Sequence, residues 1–238
     1  MKKILLIDNT FDPPHGSPEI QQCLWEAARK FGPVEITVVR APESAVPTDL
    51  ERFDGAVLSG SKTRAFESAP WIDLEMAAIR TLFAKKIPTL GICYGEQLIA
   101  RTFGGDAAVG AAKENCREYG WAEIQRKGDS PILKDLPASF HSFEFHQDEV
   151  RSLPKNFRLT ATNPACPIQA YDVEGAPMWG VQFHPERGPE AGRRSLDNKK
   201  KADPGIQLIH PEKGEELHNP DVAATIFKNF LAQVWGKA

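Results

Sequence analysis

The sequence lacks any long apolar run. The first apolar stretch is four residues long and stops at Asp8, too short for the hydrophobic core of a secretory signal. No other stretch approaches the roughly 20 apolar residues that a membrane-spanning helix needs. We therefore interpret the opening stretch as a buried strand and expect a cytoplasmic protein.

Cysteine is scarce and scattered. The four cysteines lie at positions 23, 93, 116 and 166, with no Cys-x-x-Cys pair that would indicate zinc, so a reduced protein is the simpler interpretation. His141 and His146 share one extended segment, but five residues apart they face opposite sides of a strand. A metal site there is less favoured than the alternatives, and we expect neither a metal nor a cofactor.

No charge of one sign dominates. The chain has 29 basic and 32 acidic residues, a formal net charge of -3, with both signs well mixed. Neither nucleic acid nor a membrane surface is favoured as the main partner, and a small substrate suits this balance better. The 238 residues are enough to bury a proper core, and we favour a single domain over 1–238.

Strands and helices alternate along the first hundred residues. Apolar strands are predicted at 3–8, 34–39, 55–58 and 88–92 with helical segments between, and the pattern shifts toward antiparallel β after residue 106. Such alternation indicates a parallel sheet covered by helices on both faces. We predict an α/β fold: a flavodoxin-like, open, mostly parallel sheet with a small antiparallel β extension.

Cys93 lies where an apolar strand meets a helix. Gly91 and Gly95 flank it at two residues on each side, so Gly-x-Cys-x-Gly has the form of a nucleophile elbow with a thiol in place of the hydroxyl. We expect the glycines to permit a sharp turn, and the helix N-terminus to favour the thiolate. Taken alone, the motif fits a buried structural cysteine equally well.

A second motif strengthens the catalytic interpretation. The segment Gly180-Val-Gln-Phe-His-Pro-Glu186 is an apolar strand that ends in His184, with Glu186 two residues on. A thiol nucleophile needs an imidazole to take its proton, and the imidazole needs an acceptor that fixes its tautomer. Residues two apart on an extended strand point the same way.

The two motifs together resemble the class I glutamine amidotransferases, and most closely the glutaminase domain of the GMP-synthase type and its free-standing relatives. The resemblance covers most of residues 1 to 186 and rests on Gly-Ile-Cys-Tyr-Gly-Glu-Gln followed by Val-Gln-Phe-His-Pro-Glu. It implies a catalytic triad of Cys93, His184 and Glu186.

The resemblance also implies further site residues. A main-chain N–H of Gly60 or Ser61 would form an oxyanion hole with that of Tyr94, although Ser61-Lys62 replaces the Gly-Pro of GMP synthases. The substrate would be held by four residues: Gln97, His146, Gln147 and Asp148. Each segment also has a purely structural interpretation. Gly60 would then lie in a plain strand-to-helix turn, and His146 at the polar end of a half-buried strand.

Several functions use this triad. The resemblance implies hydrolysis of the side-chain amide of glutamine through a cysteine thioester, with release of ammonia. Either a separate synthase subunit receives that ammonia or its delivery is not the purpose of the reaction. Some free-standing relatives instead cleave γ-glutamyl peptides or amines with the same triad. A non-catalytic binding subunit is the third alternative, against which all three triad positions carry their functional residue types.

The chain departs from the family pattern after Glu186. An insert at about 187–220 is rich in glycine, proline and charge, so we predict a mobile surface loop. The alternative is that this insert forms a lid or a docking surface over the site.

Overall fold

The structure is a computed structural model that describes residues 1–43, 45–113 and 116–236. Its helices are α1 Pro18–Ala28, α2 Pro70–Ala84, α3 Tyr94–Gly104, α4 Pro189–Ala202, α5 Gly214–Leu217 and α6 Pro220–Val234. Its strands are β1 Lys2–Asp8, β2 Val34–Arg40, β3 Gly55–Leu58, β4 Thr89–Ile92, β5 Val109–Ala111, β6 Glu118–Arg126, β7 Ser139–His146, β8 Asp148–Val150, β9 Phe157–Thr162, β10 Ala170–Val173 and β11 Met178–Val181.

Nine strands form one sheet in the order β2-β1-β3-β4-β11-β10-β9-β6-β7. The first five run parallel, in the order that a flavodoxin-like sheet has. The remaining pairings are antiparallel, and β5 and β8 form a separate antiparallel pair. The predicted α/β class, with helices on both faces, is confirmed.

Strand β1 shows how the core is divided. Ile4 and Leu6 lie in one apolar cluster with residues of α1 and α6, whereas Leu5 and Ile7 lie in a second cluster with residues of α2 and α3. Successive side chains of a strand point to opposite faces, so a strand covered on both sides must be apolar throughout. This explains the unbroken apolar run that the sequence shows between Lys3 and Asp8.

The segment 187–220 differs from the predicted mobile loop, because its first half is helix α4. Pro189 occupies the first turn, and the last turn carries three lysines, which suit the negative end of the helix dipole. Ala191, Gly192 and Leu196 face inward, and Leu196 belongs to an aromatic cluster on β6 and β7. With only one large apolar residue in fourteen positions, the helix has too narrow an apolar stripe for the pattern to reveal it.

In the described part of the chain, no helix has the length and apolar character that crossing a membrane requires.

Candidate active site

Cys93 lies at a sharp turn between β4 and α3. Its backbone has φ 51° and ψ -107°, a conformation that side-chain-bearing residues rarely adopt. The turn is held on both sides, since the N–H of Cys93 donates to the carbonyl of Val181 on β11 and its carbonyl accepts from the N–H of Gln97. The residue therefore has the geometry of a nucleophile elbow, as the motif predicts.

The flanking glycines serve close packing. A Cβ on Gly91 would lie 2.7 Å from the main-chain nitrogen of Glu96, and one on Gly95 would lie 2.5 Å from the carbonyl oxygen of Leu58. Cys93 itself has the positive φ, whereas the two glycines let helix α3 sit directly against β3 and β4. Larger residues at either position would push the helix away from the strands.

His184 and Glu186 form a close pair. The Nδ1 atom of His184 lies 2.7 Å from a carboxylate oxygen of Glu186, and both side chains are buried. Strand β11 ends at Val181, and His184 beyond it forms an isolated antiparallel bridge with Phe143. Glu186 lies in the turn that follows, rather than on the extended strand that the sequence analysis expected. The N–H of His184 donates to the carbonyl of Phe143, which ties this turn to β7.

Gly60 brings the two motifs into one place. A Cβ at this position would lie 3.6 Å from the Cβ of Cys93, 2.8 Å from Cε1 of His184 and 3.6 Å from its Nε2. The thiol-bearing carbon and the imidazole nitrogen thus lie within the same short distance of a single point. Because β3, β4 and β11 are neighbours in the sheet, the residues that follow them meet at its carboxyl edge.

The environment of the Cys93 sulfur opposes ionisation. Burial raises the pKa of the Cys93 thiol, and the carboxyl group of Glu144 raises it further, while the main-chain N–H of Tyr94 acts in the opposite direction. The N–H of Tyr94 acts in the direction expected of a helix N-terminus, but the effect of burial on the pKa of the thiol is larger. Ionisation of this buried thiol would therefore require a nearby base.

Glu186 stays ionised although it is buried. Burial alone would raise its pKa, but attraction to His184 and the hydrogen bond from that ring outweigh burial, so the pKa of Glu186 is lowered. An ionised carboxylate beside Nδ1 holds the proton on that nitrogen and leaves Nε2 as the basic atom of a neutral ring.

The side chain of Ser61 is engaged in hydrogen bonds to neighbouring main chain. Its Oγ donates to the carbonyl of Asn9 at 2.7 Å and accepts from the N–H of Thr63. These bonds fix the loop after β3, whose Gly60 packs against the His184 ring. The side chain of Tyr94 is buried against Trp71.

Gln97 and Asp148 are brought together. The Nε2 of Gln97 donates to the main-chain carbonyl of Asp148 and to Oε1 of Gln182, each at 2.8 Å. Gln147, which precedes Asp148 in the chain, is half-buried, and its carbonyl accepts a hydrogen bond from the N–H of Ala112. The predicted substrate-binding segment therefore packs directly against the helix that follows Cys93.

His146 points into the interior. Nδ1 lies 3.0 Å from the carbonyl of Asp148, and Nε2 lies 3.1 Å from the carboxylate of Glu118, which also accepts from Asn163 and Gln169. With both nitrogens engaged by protein groups, the ring holds the turn at Asp148 in place and does not extend into open space.

Cys166 completes a second group of Glu, His and Cys side chains. Its donor atom and those of Glu118 and His146 all lie within 4.8 Å of one another. The Cys166 thiol donates to the carbonyl of Ile168, however, and both oxygens of Glu118 already accept hydrogen bonds. We interpret the group as an internal hydrogen-bonded network, separate from the group around Cys93.

The sequence analysis missed two contacts beside the site. Arg64 forms a salt bridge with Asp148, and the buried Glu75 accepts a hydrogen bond from Asn9, which also donates to Ser59 beside Gly60. Each partner lies 50 or more residues away along the chain. No local pattern signals such pairs.

The chain is similar to proteins of a known family. Residues 18–202 match the family model described as glutamine amidotransferase class-I. The chain is 34% identical over 186 residues to a glutamine-hydrolyzing GMP synthase subunit of Methanopyrus kandleri, covering 77% of this chain and 88% of that protein. The chain belongs to the class I glutamine amidotransferases.

One further relative and one solved structure are also similar to this chain. The protein of the same name from Pyrococcus abyssi is 45% identical over 100 residues, 42% of this chain and 51% of that protein, so this match spans about half of the relative's length. A glutamine amidotransferase from Thermotoga maritima superposes with a TM-score of 0.78 over 98% of this chain and 97% of its own, at 20% identity, which supports the fold. The predicted class I amidotransferase family is confirmed.

Proposed function

We propose that this amidotransferase hydrolyses the side-chain amide of glutamine. The sulfur of Cys93 attacks the carboxamide carbon and forms a C–S bond, while the thiol proton passes to Nε2 of His184. His184 then gives that proton to the departing nitrogen as the C–N bond breaks, which leaves a γ-glutamyl thioester and ammonia. Water, deprotonated by His184, attacks the thioester, so that glutamate leaves and the thiol is restored.

The observation that carries this proposal is the meeting of Cys93 and His184 at Gly60. Both side chains lie against the same glycine, and Glu186 orients the far side of the ring. The main-chain N–H of Gly60 or Ser61 and that of Tyr94 would donate hydrogen bonds to the oxyanion and stabilise its developing charge. No side chain is needed for this role. Gln97, Gln147 and Asp148 would contact the substrate, with His146 holding Asp148 in position.

The receiver of the ammonia is a separate protein in this proposal. The relatives from Methanopyrus and Pyrococcus are named as GMP synthase subunits, which supports a role in which this chain supplies ammonia to a synthase partner. We also place the protein in the cytoplasm. Its four cysteines are few and scattered along the chain, which supports a reducing compartment.

Ammonia release from glutamine tests the proposal. The unaltered protein is expected to release ammonia and glutamate in equal amounts, and Cys93→Ala is expected to abolish the release. Cys23→Ala is the matched control, since Cys23 lies on α1 and takes no part in the proposed steps. A γ-glutamyl dipeptide in a parallel assay reports whether the thioester forms from an amine-substituted amide instead. Release that survives in Cys93→Ala would contradict the proposal.

A further inference from the structure

Asn9 ties the end of strand β1 to the loop that follows β3. Its main-chain N–H donates to Oγ of Ser59 at 2.9 Å, and its side-chain Nδ2 donates to the carbonyl of Ser59 at 3.1 Å. Its own carbonyl accepts from Oγ of Ser61 at 2.7 Å. The two serines flank Gly60, so Asn9 holds the main chain on both sides of the glycine that packs against His184.

Glu75 holds the Asn9 side chain from the other direction. Its Oε1 accepts a hydrogen bond from Nδ2 of Asn9 at 3.1 Å, so this nitrogen donates both to Glu75 and to Ser59. Neither Asn9 nor Glu75 is exposed to solvent. Loss of the Glu75 acceptor would therefore leave a buried N–H without a partner, which is costly.

The two side chains also complement each other at their remaining oxygen atoms. Oδ1 of Asn9 and Oε2 of Glu75 have no hydrogen-bond partner among the residues that the structure describes. Burial raises the pKa of Glu75 to about 8, so the carboxyl group keeps its proton at neutral pH. A proton on Oε2 supplies the donor that Oδ1 lacks, and acid and amide then satisfy each other through two hydrogen bonds. This pairing fixes the orientation in which the Asn9 amide presents Nδ2 to Ser59.

Helix α2, which carries Glu75, also supports the second proposed oxyanion donor. Trp71 lies one turn before Glu75, and its ring packs on that of Tyr94 with the ring centroids 6.0 Å apart. The Glu75 carboxyl group adds to the effect of burial in raising the pKa of the Tyr94 hydroxyl, which places the two groups near one another. One face of α2 thus supports the segments that carry both donors.

We propose that Glu75 is a positioning residue for the oxyanion hole. It fixes the Asn9 amide, and Asn9 in turn fixes the main chain on both sides of Gly60. This inference rests on the proposed function and deepens it by naming the group that holds one half of the oxyanion hole. The oxyanion exists in the transition state and not in bound glutamine, so a displaced donor is expected to lower kcat and to leave KM nearly unchanged.

Ammonia release from glutamine at several substrate concentrations tests the inference. Glu75→Leu removes the acceptor and is expected to lower kcat by about 10- to 100-fold, while KM changes by less than about threefold. Glu75→Gln keeps an acceptor for Nδ2 of Asn9 and offers a donor to Oδ1, so its kcat at neutral pH is expected to stay within about threefold of the unaltered value. Such a rescue depends on hydrogen bonding and not on side-chain volume.

Asn9→Ser is the second variant, because it removes both Nδ2 hydrogen bonds while introducing only a small side chain. It is expected to reproduce the loss in kcat. Adding Glu75→Leu to Asn9→Ser is expected to lower kcat by less than about threefold more, because Glu75 acts through Asn9. Denaturant unfolding checks that each variant is folded under the assay conditions. If Glu75→Leu does not fold, an unchanged kcat in Asn9→Ser overturns the inference.

Asn229→Leu is the matched control. Asn229 is a buried asparagine on α6, and its Nδ2 donates to the main-chain carbonyls of Ile132 and Lys134. It takes no part in the proposed site, so this variant is expected to lose stability and to keep its kcat.

Three results would overturn the inference: an unchanged kcat in Glu75→Leu, a loss confined to KM, or equal losses in Glu75→Leu and Glu75→Gln. Ammonia release by the unaltered protein would still uphold the proposed reaction in each case. A γ-glutamyl dipeptide is assayed in parallel. The expected pattern of variants with the dipeptide, in a protein inactive on glutamine, would support the role of Glu75 and contradict the proposed substrate. No turnover of either compound would overturn both.

Discussion

Gly60 faces the imidazole of His184 so closely that no side chain fits between them. A Cβ on Gly60 would lie 2.8 Å from Cε1 of the ring, nearer than carbon atoms of real side chains approach. Two hydrogen bonds hold the ring in this position. Its Nδ1 is hydrogen-bonded to Glu186, and the main-chain N–H of His184 donates to the carbonyl of Phe143. The glycine therefore sets the position of the proposed base.

Gly60→Ala is expected to lower kcat/KM for glutamine by about 100-fold, because the added methyl group displaces the His184 ring from the Cys93 sulfur and a misplacement of about 1 Å has this cost. Steady-state ammonia release measures the effect. The matched control is Gly188→Ala, since a Cβ at Gly188 meets no atom within 4 Å. Equal activity of the two variants would contradict the assignment of Gly60 to the site.

The strained backbone at Cys93 predicts an unusual order of stability. The free energy of unfolding of Cys93→Gly is expected to be about 1 kcal/mol higher than that of Cys93→Ala, because glycine adopts a φ of 51° without strain. Denaturant unfolding of both variants measures the difference. Ala77→Gly in the middle of helix α2 is the control and is expected to lower the stability by about 1 kcal/mol. A Cys93→Ala protein at least as stable as Cys93→Gly would show that no strain is stored at the turn.

Glu186→Gln is expected to lower kcat by about 10² to 10⁴, with KM little changed, because a neutral amide no longer stabilises the protonated ring or fixes its tautomer. Kinetics at several glutamine concentrations separate kcat from KM. Glu190→Gln offers a matched control, since this carboxylate is exposed on α4 and pairs only with Arg194 among the described residues. A loss confined to KM would mean that Glu186 contacts substrate instead of orienting His184.

Glu75 predicts a pH dependence of stability. Burial raises the pKa of Glu75 from 4.5 to about 8, with a smaller opposing effect of the Asn9 hydrogen bond. The folded protein thus holds the proton more tightly than the unfolded chain. Binding of this proton therefore stabilises the folded protein. The stabilisation is complete below pH 4.5 and is lost as the pH rises through 8.

Replacing Glu75 with Gln is expected to flatten this profile. Between pH 5 and pH 9, the loss in free energy of unfolding should be about 4 kcal/mol smaller in Glu75→Gln than in the unaltered protein. The amide of the new residue can donate to Oδ1 of Asn9, which lacks a partner among the described residues, as does Oε2 of Glu75. Parallel pH profiles of the two proteins would contradict the raised pKa.

The sequence predicts those features that depend on neighbours in the chain. The elbow at Cys93 follows from two glycines and an apolar strand. The spacing of His184 and Glu186 predicts that they lie together, although Glu186 is in a turn and not on an extended strand. The alternation of strands and helices predicts the parallel half of the sheet. In each of these cases the residues that determine the structure lie within a few positions of one another.

Other features depend on contacts between distant segments. The Arg64–Asp148 pair joins residues 84 positions apart, and Glu75 meets Asn9 across 66. The burial that raises the pKa of the Cys93 thiol likewise depends on the whole fold. Helix α4 was missed because its stability depends on the contacts of Leu196 with the aromatic cluster more than on a visible apolar stripe.

Labelling with an electrophilic analogue of glutamine tests the central claim most directly. We expect mass spectrometry to find one adduct per chain, on Cys93 and not on Cys23, Cys116 or Cys166, with formation slowed by free glutamine. His184→Ala should slow the labelling because the buried thiol loses its base. An adduct on another cysteine, or none on Cys93 under conditions in which glutamine binds, would contradict the account.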